Sequence, residues 1–323
     1  MLYLSDNDFN NIGIDWGETI GVIKDAVVCY ENNDYSQPIK PYLRYKDRQN
    51  RIIAMPGFIG NKFNMAGIKW IASFPQNINN GLPRAHCVVI LNEAETGKPI
   101  CILNSPLISI IRTISVSGLV IKYFLHARSI DDINLGITGI GPIGRNHLKM
   151  ACSLLGDKLK NIFLYDINDV DLKLIDIPDE HRNKIAVKDS WENTYEDADI
   201  FITATVSNET YINRKPKEGS LHLNVSLRDY KTSTFDYFKN SIIVDNWKEV
   251  CREKTDIEMM HKEKGLKEEQ TKTIIDVINN YISSLEDKTP IMFNPMGMAI
   301  FDIAISSYYY IKASQMGVGI KIS

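Results

Sequence analysis

The 323 residues are 44% hydrophobic and 24% charged, with a net charge of −3 and no basic stripe; these proportions exclude a wholly disordered chain and give nucleic acid no footing. Such a length holds one large domain or two ordinary ones and buries a core without staples. Five cysteines, an odd number with no CxxC pair, exclude a disulfide framework or zinc ribbon and read as reduced thiols.

The chain opens on Met1-Leu2-Tyr3-Leu4-Ser5-Asp6, where no basic region precedes an apolar run, so no signal peptide is expected. No stretch approaches about 18 uncharged apolar residues, so a cytoplasmic protein without a membrane span is expected. Leu2–Leu4 is predicted as a short strand. Asp15 to Asn32 has helical spacing, with Ile20, Ile23, Val27 and Val28 on one face. Strand-like runs follow at Arg51–Pro56, Ala66–Ser73, His86–Leu91 and Pro99–Leu103. Pro56-Gly57, Asn77–Pro83 and Glu95–Pro99 separate them, which predicts an antiparallel sheet joined by turns.

From about Ser115 to Pro290 the rhythm is strand, helix, strand. Strands are predicted at Asn134–Thr138, Asn161–Tyr165, Ile185–Val187, Ile200–Thr205, Leu221–Val225 and Ile242–Val244, and a helix at Ile143–Leu155. Short apolar strands alternating with helices predict an α/β fold with a parallel sheet covered on both faces. The mixed-sign run Lys248 to Lys272 reads as a solvated helix face. Phe293 to Gly297 reads as a helix start, Met298 to Gln315 as its helix, and Val318–Ile322 as a last strand returning to the first domain.

The densest signal is Gly139-Ile140-Gly141-Pro142-Ile143-Gly144, a GxGxxG turn between an apolar strand and a helix. Gly139 permits the tight turn, Gly141 lets the backbone approach a pyrophosphate, and Gly144 lets the helix pack on the strand. The helix start, with Pro142 and Ile143, offers a partial positive charge and unpaired amides to phosphates. Asp166 ends the next strand 22 residues after Gly144, where a carboxylate accepts the adenosine ribose hydroxyls. A carboxylate there repels a 2′-phosphate, and no Arg or Lys follows in Ile167-Asn168-Asp169. The predicted cofactor is therefore NAD rather than NADP, and the predicted chemistry is hydride transfer.

Lys40, Arg44, Lys69, Arg84 and Arg112 lie in apolar or turn-rich surroundings. A buried cation needs an anion, which is either an internal ion pair or a carboxylate on a ligand. Asp229 follows the apolar strand at 221–225, where an open parallel sheet places ligands; it reads as a partner for an amine or as a turn residue. The six histidines show no ligand spacing, so no metal site is expected. There is no GxSxG elbow to support acyl transfer.

These residues resemble the ornithine cyclodeaminase/mu-crystallin family along nearly the whole chain. The resemblance is carried by Lys40-Pro41-Tyr42-Leu43-Arg44, Gly67-Ile68-Lys69-Trp70, Arg112-Thr113, the glycine turn, Thr203-Ala204-Thr205-Val206, and Asn294-Pro295-Met296-Gly297-Met298-Ala299 with Asp302. Gln37 to Arg44, Arg51 to Pro56, Asn294 to Ala299, and Val244-Asp245-Asn246-Trp247 with Arg252-Glu253-Lys254 are similar to a branch of secondary-amine dehydrogenases that form 2,3-diaminopropionate for siderophores.

The resemblance implies a homodimer with a Rossmann-type NAD-binding domain (115–303) and an α+β domain for substrate and dimerisation (1–114 with 304–323). It implies an amino-acid-derived tricarboxylate substrate, held by Lys40, Arg44, Lys69 and Arg112. Asp229 and Lys69 are the implied catalytic residues, and Arg84, Thr205, Val206, Met296 and Gly297 join the glycine turn and Asp166 on the cofactor. One departure is plain: ornithine cyclodeaminases carry a Lys four residues after that Asp, whereas here Lys231 comes two after and Ser233 stands fourth.

Overall fold

The computed structural model describes residues 1–47 and 49–322. Its contacts divide the chain into two units, Met1–Ser115 with Gly297–Ser323, and Val116–Met296. The α/β class is borne out.

The first unit begins with β1 (Leu2–Ser5), α1 (Asp6–Ile12) and α2 (Trp16–Glu31). Asp15 caps α2 by accepting the Glu18 amide, and Ile20, Ile23, Ala26 and Val27 form its buried stripe. Two short strands, β2 (Tyr35–Ser36) and β3 (Tyr42–Leu43), both pair with β4 (Arg51–Ile59). From β4 the sheet runs through β5 (Met65–Ser73), β6 (Ala85–Glu93) and β7 (Pro99–Asn104), each pair antiparallel as expected. Pro56-Gly57 does not separate two strands, however: both lie inside β4, opposite Ile68 and Gly67, and the chain turns at 60–64 instead. On the outer side of β4 the pairings of β2 and β3 fall on either side of Pro56, where a missing N–H is tolerated. β1 joins the far side in parallel with β7. The chain then enters α3 (Leu107–Ala127). By length and composition alone this helix could cross a membrane, but two-thirds of its apolar window is buried inside the protein and it carries Arg112 and Lys122.

The second unit is built on a parallel sheet of eight strands: β8 (Ile133–Thr138), β9 (Leu159–Tyr165), β10 (Ile185–Val187), β11 (Ile200–Thr203), β12 (Leu221–Asn224), β13 (Ile242–Val244), β14 (Lys272–Thr273) and β15 (Ile291–Asn294). Their spatial order is β10-β9-β8-β11-β12-β15-β13-β14. The strand order reverses between β8 and β11, and ligands bind beyond the carboxyl ends of strands at such a switch point. The helices of this unit are α4 (Pro142–Leu155), α5 (Asp179–Arg182), α6 (Trp191–Tyr195), α7 (Phe235–Phe238), α8 (Trp247–Val250), α9 (Asp256–Lys264) and α10 (Ile274–Ile278).

Two further expectations are corrected here. Phe293 and Asn294 do not begin a helix; they end β15, whose four residues are all buried between β12 and β13. A central parallel strand is a continuous apolar run, which periodicity alone does not separate from a buried helix. The run from Lys248 to Lys272 is not one solvated helix face either. It breaks between α8 and α9, where Glu253 and Lys254 take positive φ, and it buries Val250, Asp256, Ile257, Met260 and Leu266. Its end is the small strand β14, which the charges concealed.

The chain returns to the first unit with α11 (Ala299–Met316), which packs on α2 and on the β4–β5 face. β16 (Ile320–Lys321) closes the first sheet antiparallel to β1. All five cysteines are free thiols, four of them buried.

Candidate active site

The glycine turn leaves β8 at the switch point. Gly139 sits at φ +90°, and a Cβ there would lie 2.6 Å from the Ala204 carbonyl at the end of β11. A Cβ on Gly144 would drive into the Gly139 oxygen. Both positions therefore exclude side chains for reasons internal to the fold. Gly141 differs: it caps α4 with ordinary extended backbone and has nothing within 4 Å of where a Cβ would stand. Open space over the start of α4, with Pro142 contributing no amide and Ile143 and Gly144 contributing theirs, fits a pyrophosphate.

Beside this turn lies a cavity of about 210 Å³, lined in part by Ile140, Gly141, Arg145, Asp166, Asp169 and Asp171. The Asp166 carboxylate accepts the Ile140 amide at 2.7 Å and the Asn168 amide at 3.0 Å, so it is tied to the turn itself. Three carboxylates against one guanidinium give this wall a negative balance, suited to ribose hydroxyls and hostile to a phosphate. The residues present thus fit a dinucleotide without a 2′-phosphate. Arg145, Asp169 and Asp171 were not singled out from the sequence; their signal was only their nearness to the motif. Asp166→Ser is expected to improve NADP binding relative to NAD by about tenfold, about 1.4 kcal/mol. Fluorescence titration of both cofactors measures it; an unchanged ratio would show that Asp166 does not set the preference.

Asp229 is fully buried beyond the end of β12. Its Oδ1 accepts the hydroxyl of Thr205, while Oδ2 has no hydrogen-bond partner. Burial pushes the Asp229 carboxyl above the ordinary carboxylate range, and the Thr205 hydroxyl pulls against it. Burial and then the charge of Asp229 raise the neighbouring Tyr211 hydroxyl. This is the environment of a base: a carboxylate with one oxygen anchored and the other without a hydrogen-bond partner. Val206, next to Thr205, is exposed, and Met296 packs against the core of this unit. Lys231 is exposed, unlike Asp229 two residues before it.

In the first unit, Lys69 on β5 and Arg112 on α3 converge on Asp302 of α11. Lys69 Nζ and Arg112 Nε lie 2.8 and 2.9 Å from the same oxygen, Asp302 Oδ1. All three side chains are buried, and Asp302 Oδ2 has no partner. Both Nη nitrogens of Arg112 make no hydrogen bond to the described residues. The internal-pair reading of Lys69 and Arg112 is therefore correct as far as Asp302 goes. Two cations on one carboxylate still leave a positive balance and an uncommitted guanidinium fork. Burial lowers the Lys69 ammonium below its ordinary range, and Asp302 opposes the shift.

Lys40 is buried and donates to the Gly297 carbonyl at 2.7 Å. Gly297, with φ +90°, lies where a Cβ would strike the Arg112 guanidinium. Gly297, which the resemblance assigns to the cofactor, is thus also a neighbour of the cation cluster. Arg44 is exposed and stacks over the Tyr42 ring at 5.3 Å. Arg84 is half-buried just before β6, and its carbonyl accepts the Phe74 amide.

Two buried histidines have internal partners. His147 bonds Ile143 O and Ser117 Oγ, and His222 bonds Ser220 and Tyr230. Burial lowers them to about 4 and about 3, so both are neutral at pH 7. Among the described residues no group of three or more His, Cys, Asp or Glu could hold a metal ion.

Residues 11–317 match the ornithine cyclodeaminase/mu-crystallin family. N-((2S)-2-amino-2-carboxyethyl)-L-glutamate dehydrogenase of Staphylococcus aureus is 32% identical, over 99% of this chain and 97% of that one. Alanine dehydrogenase of Archaeoglobus fulgidus is 26% identical, over 96% and 94%. The structure of Thermococcus litoralis Delta(1)-pyrroline-2-carboxylate reductase, solved with NADH and L-proline, covers both chains completely with a TM-score of 0.89 and 25% identity.

Proposed function

The chain belongs to the ornithine cyclodeaminase/mu-crystallin family, and from that premise we propose that it is an NAD-dependent dehydrogenase acting on a secondary amine, N-((2S)-2-amino-2-carboxyethyl)-L-glutamate. The reaction consumes the amine, NAD and water and yields 2-oxoglutarate, L-2,3-diaminopropionate, NADH and a proton. The observation that carries this reading is the buried pair Lys69 and Arg112 on one oxygen of Asp302, with the guanidinium fork uncommitted. A fork of that kind grips a carboxylate through two parallel bonds.

Bound NAD supplies a two-electron oxidant for the carbon next to the amine nitrogen. Gly139, Gly141, Pro142, Ile143 and Gly144 hold its pyrophosphate and Asp166 its ribose. Thr205, Val206, Met296, Gly297 and Arg84 are assigned to the rest of it. Arg112 and Lys69 hold one substrate carboxylate, and Lys40 and Arg44 serve the others, which suits a tricarboxylate better than a simple amino acid. Asp229 Oδ2 removes the proton from the substrate ammonium, since the nitrogen lone pair must be free before the neighbouring carbon is oxidised. Lys69, its ammonium already lowered by burial, passes a proton at Nζ to and from the water that completes the cleavage. Orientation by the cations contributes several kcal/mol on its own, to about 7–11 in well-aligned cases.

We assign the homodimer contact to the first unit, supported by exposed Leu43, Tyr45, Trp70, Ile78 and Leu82. The free thiols support a reducing, cytoplasmic setting.

The test is NADH absorbance after mixing protein and NAD with the secondary amine, with ornithine and proline as parallel arms. The expected result is NADH from the secondary amine, matched by equal 2-oxoglutarate and diaminopropionate. Proline and ammonia from ornithine without net NADH would make the chain a cyclodeaminase. NADH from proline would make it a cyclic-imine reductase working in reverse. NAD binding with no turnover in any arm would leave a non-catalytic dinucleotide-binding protein.

A further inference from the structure

Asp256 lies inside the charged run that reads as solvated helix, yet it is buried at the first position of α9. Its Oδ2 accepts three N–H groups: Asn224 Nδ2 at 2.9 Å, and the backbone amides of Asp229 and Tyr230, each at 3.1 Å. Its own amide donates to the Leu227 carbonyl at 2.8 Å. These four bonds span the segment from the end of β12 to Tyr230. That segment contains Leu227, buried and in the left-handed region at φ +64°, a conformation a branched side chain holds only when its surroundings enforce it. Asn224 extends the network: its Oδ1 accepts the Leu227 amide and its Nδ2 also donates to Asn294 Oδ1 on β15.

The helix does not require this carboxylate. Thr255 already caps α9 by accepting the Glu258 amide. The Asp256 side chain turns instead to the loop, where the three N–H groups on Oδ2 favour its ionised form against the burial that raises its carboxyl to about 7. We infer that Asp256 is a positioning residue, whose carboxylate fixes the backbone that presents Asp229 to the substrate amine. The inference rests on the proposed role of Asp229 for its catalytic consequence, but the clamp itself is measurable without any substrate.

The experiment compares the wild type with Asp256→Asn, Asp256→Ser and the helix-cap control Thr255→Ala. Three quantities are read: amide hydrogen exchange at Asp229 and Tyr230, the affinity for NAD, and kcat and KM on whichever amine the wild type turns over. Exchange at both amides is expected to accelerate at least about tenfold in the Asp256 variants and not in the control. Displacement of a catalytic group by about 1 Å costs on the order of 10²-fold, so kcat is expected to fall about 10- to 100-fold, with KM and NAD affinity within about twofold. Unchanged exchange at the two amides would overturn the inference. So would an equal kcat loss in Thr255→Ala, which would make the effect one of helix stability. Accelerated exchange in a protein whose wild type turns over none of the amines would uphold the clamp and defeat the substrate reading instead.

Discussion

Asp229→Asn is expected to lower kcat about 10³-fold while NAD affinity stays within about twofold, the general-base contribution being on the order of 10²–10⁴. The substitution is nearly isosteric, and its amide oxygen can still accept the Thr205 hydroxyl that now anchors Oδ1. What changes is the other atom. Oδ2 has no partner and would become an NH₂ group facing an amine that also donates. The proton then has no acceptor. The pH profile gives a second check. Burial raises the carboxyl above its ordinary range, and the base works only when ionised. Activity of the wild type should therefore fall as pH drops through a value above the usual carboxylate region, and this acid limb should disappear in the Asn variant. Steady-state kinetics across pH, with NAD titration alongside, measures both; undiminished turnover would remove Asp229 from the mechanism.

Asp302→Ala should have the largest effect on stability. It leaves Lys69 and Arg112 in the interior without the oxygen both share. Removing one partner of a buried ion pair costs about 3–5 kcal/mol, because the remaining charge stays desolvated. For a unit of this size that corresponds to a melting temperature lower by about 10 °C. The loss should shrink as pH rises, since Lys69 can escape by shedding its proton and burial already favours the neutral form. Calorimetry at several pH values tests this. A change below about 2 °C would mean that the two cations find their compensation elsewhere.

The parts of this molecule that could be read from the sequence are those whose chemistry is local. The glycine turn, the strand before it and Asp166 lie within one short stretch, and each residue type has a single steric or electrostatic reason to be there. Two of the turns between the antiparallel strands of the first unit were marked by Gly, Pro and Asn at 77–83 and 95–99, whereas Pro56-Gly57 carried the same residue types inside β4. Lys69 and Arg112 stood out as cations in apolar runs, but nothing nearby named their partner: Asp302 lies 190 residues beyond Arg112. Asp256 was hidden for a different reason. Its neighbours Arg252, Glu253, Lys254 and Glu258 gave the whole segment the look of solvated helix, and burial is decided by tertiary packing that local alternation does not record. β15 was hidden by the opposite excess, since four buried residues in a row carry no period.

The three glycines of the turn are held by different forces, and this decides how the sequence can drift. Gly139 and Gly144 are confined by the protein's own backbone: one by its dihedral angle and Ala204, the other by the oxygen of its companion. Gly141 is confined by nothing in the chain. A lineage that abandoned the dinucleotide but kept the fold would retain the outer two glycines and let the middle one accumulate side chains. Residue 141, more than the motif as a whole, is therefore the position expected to vary first once a dinucleotide no longer has to approach the backbone there.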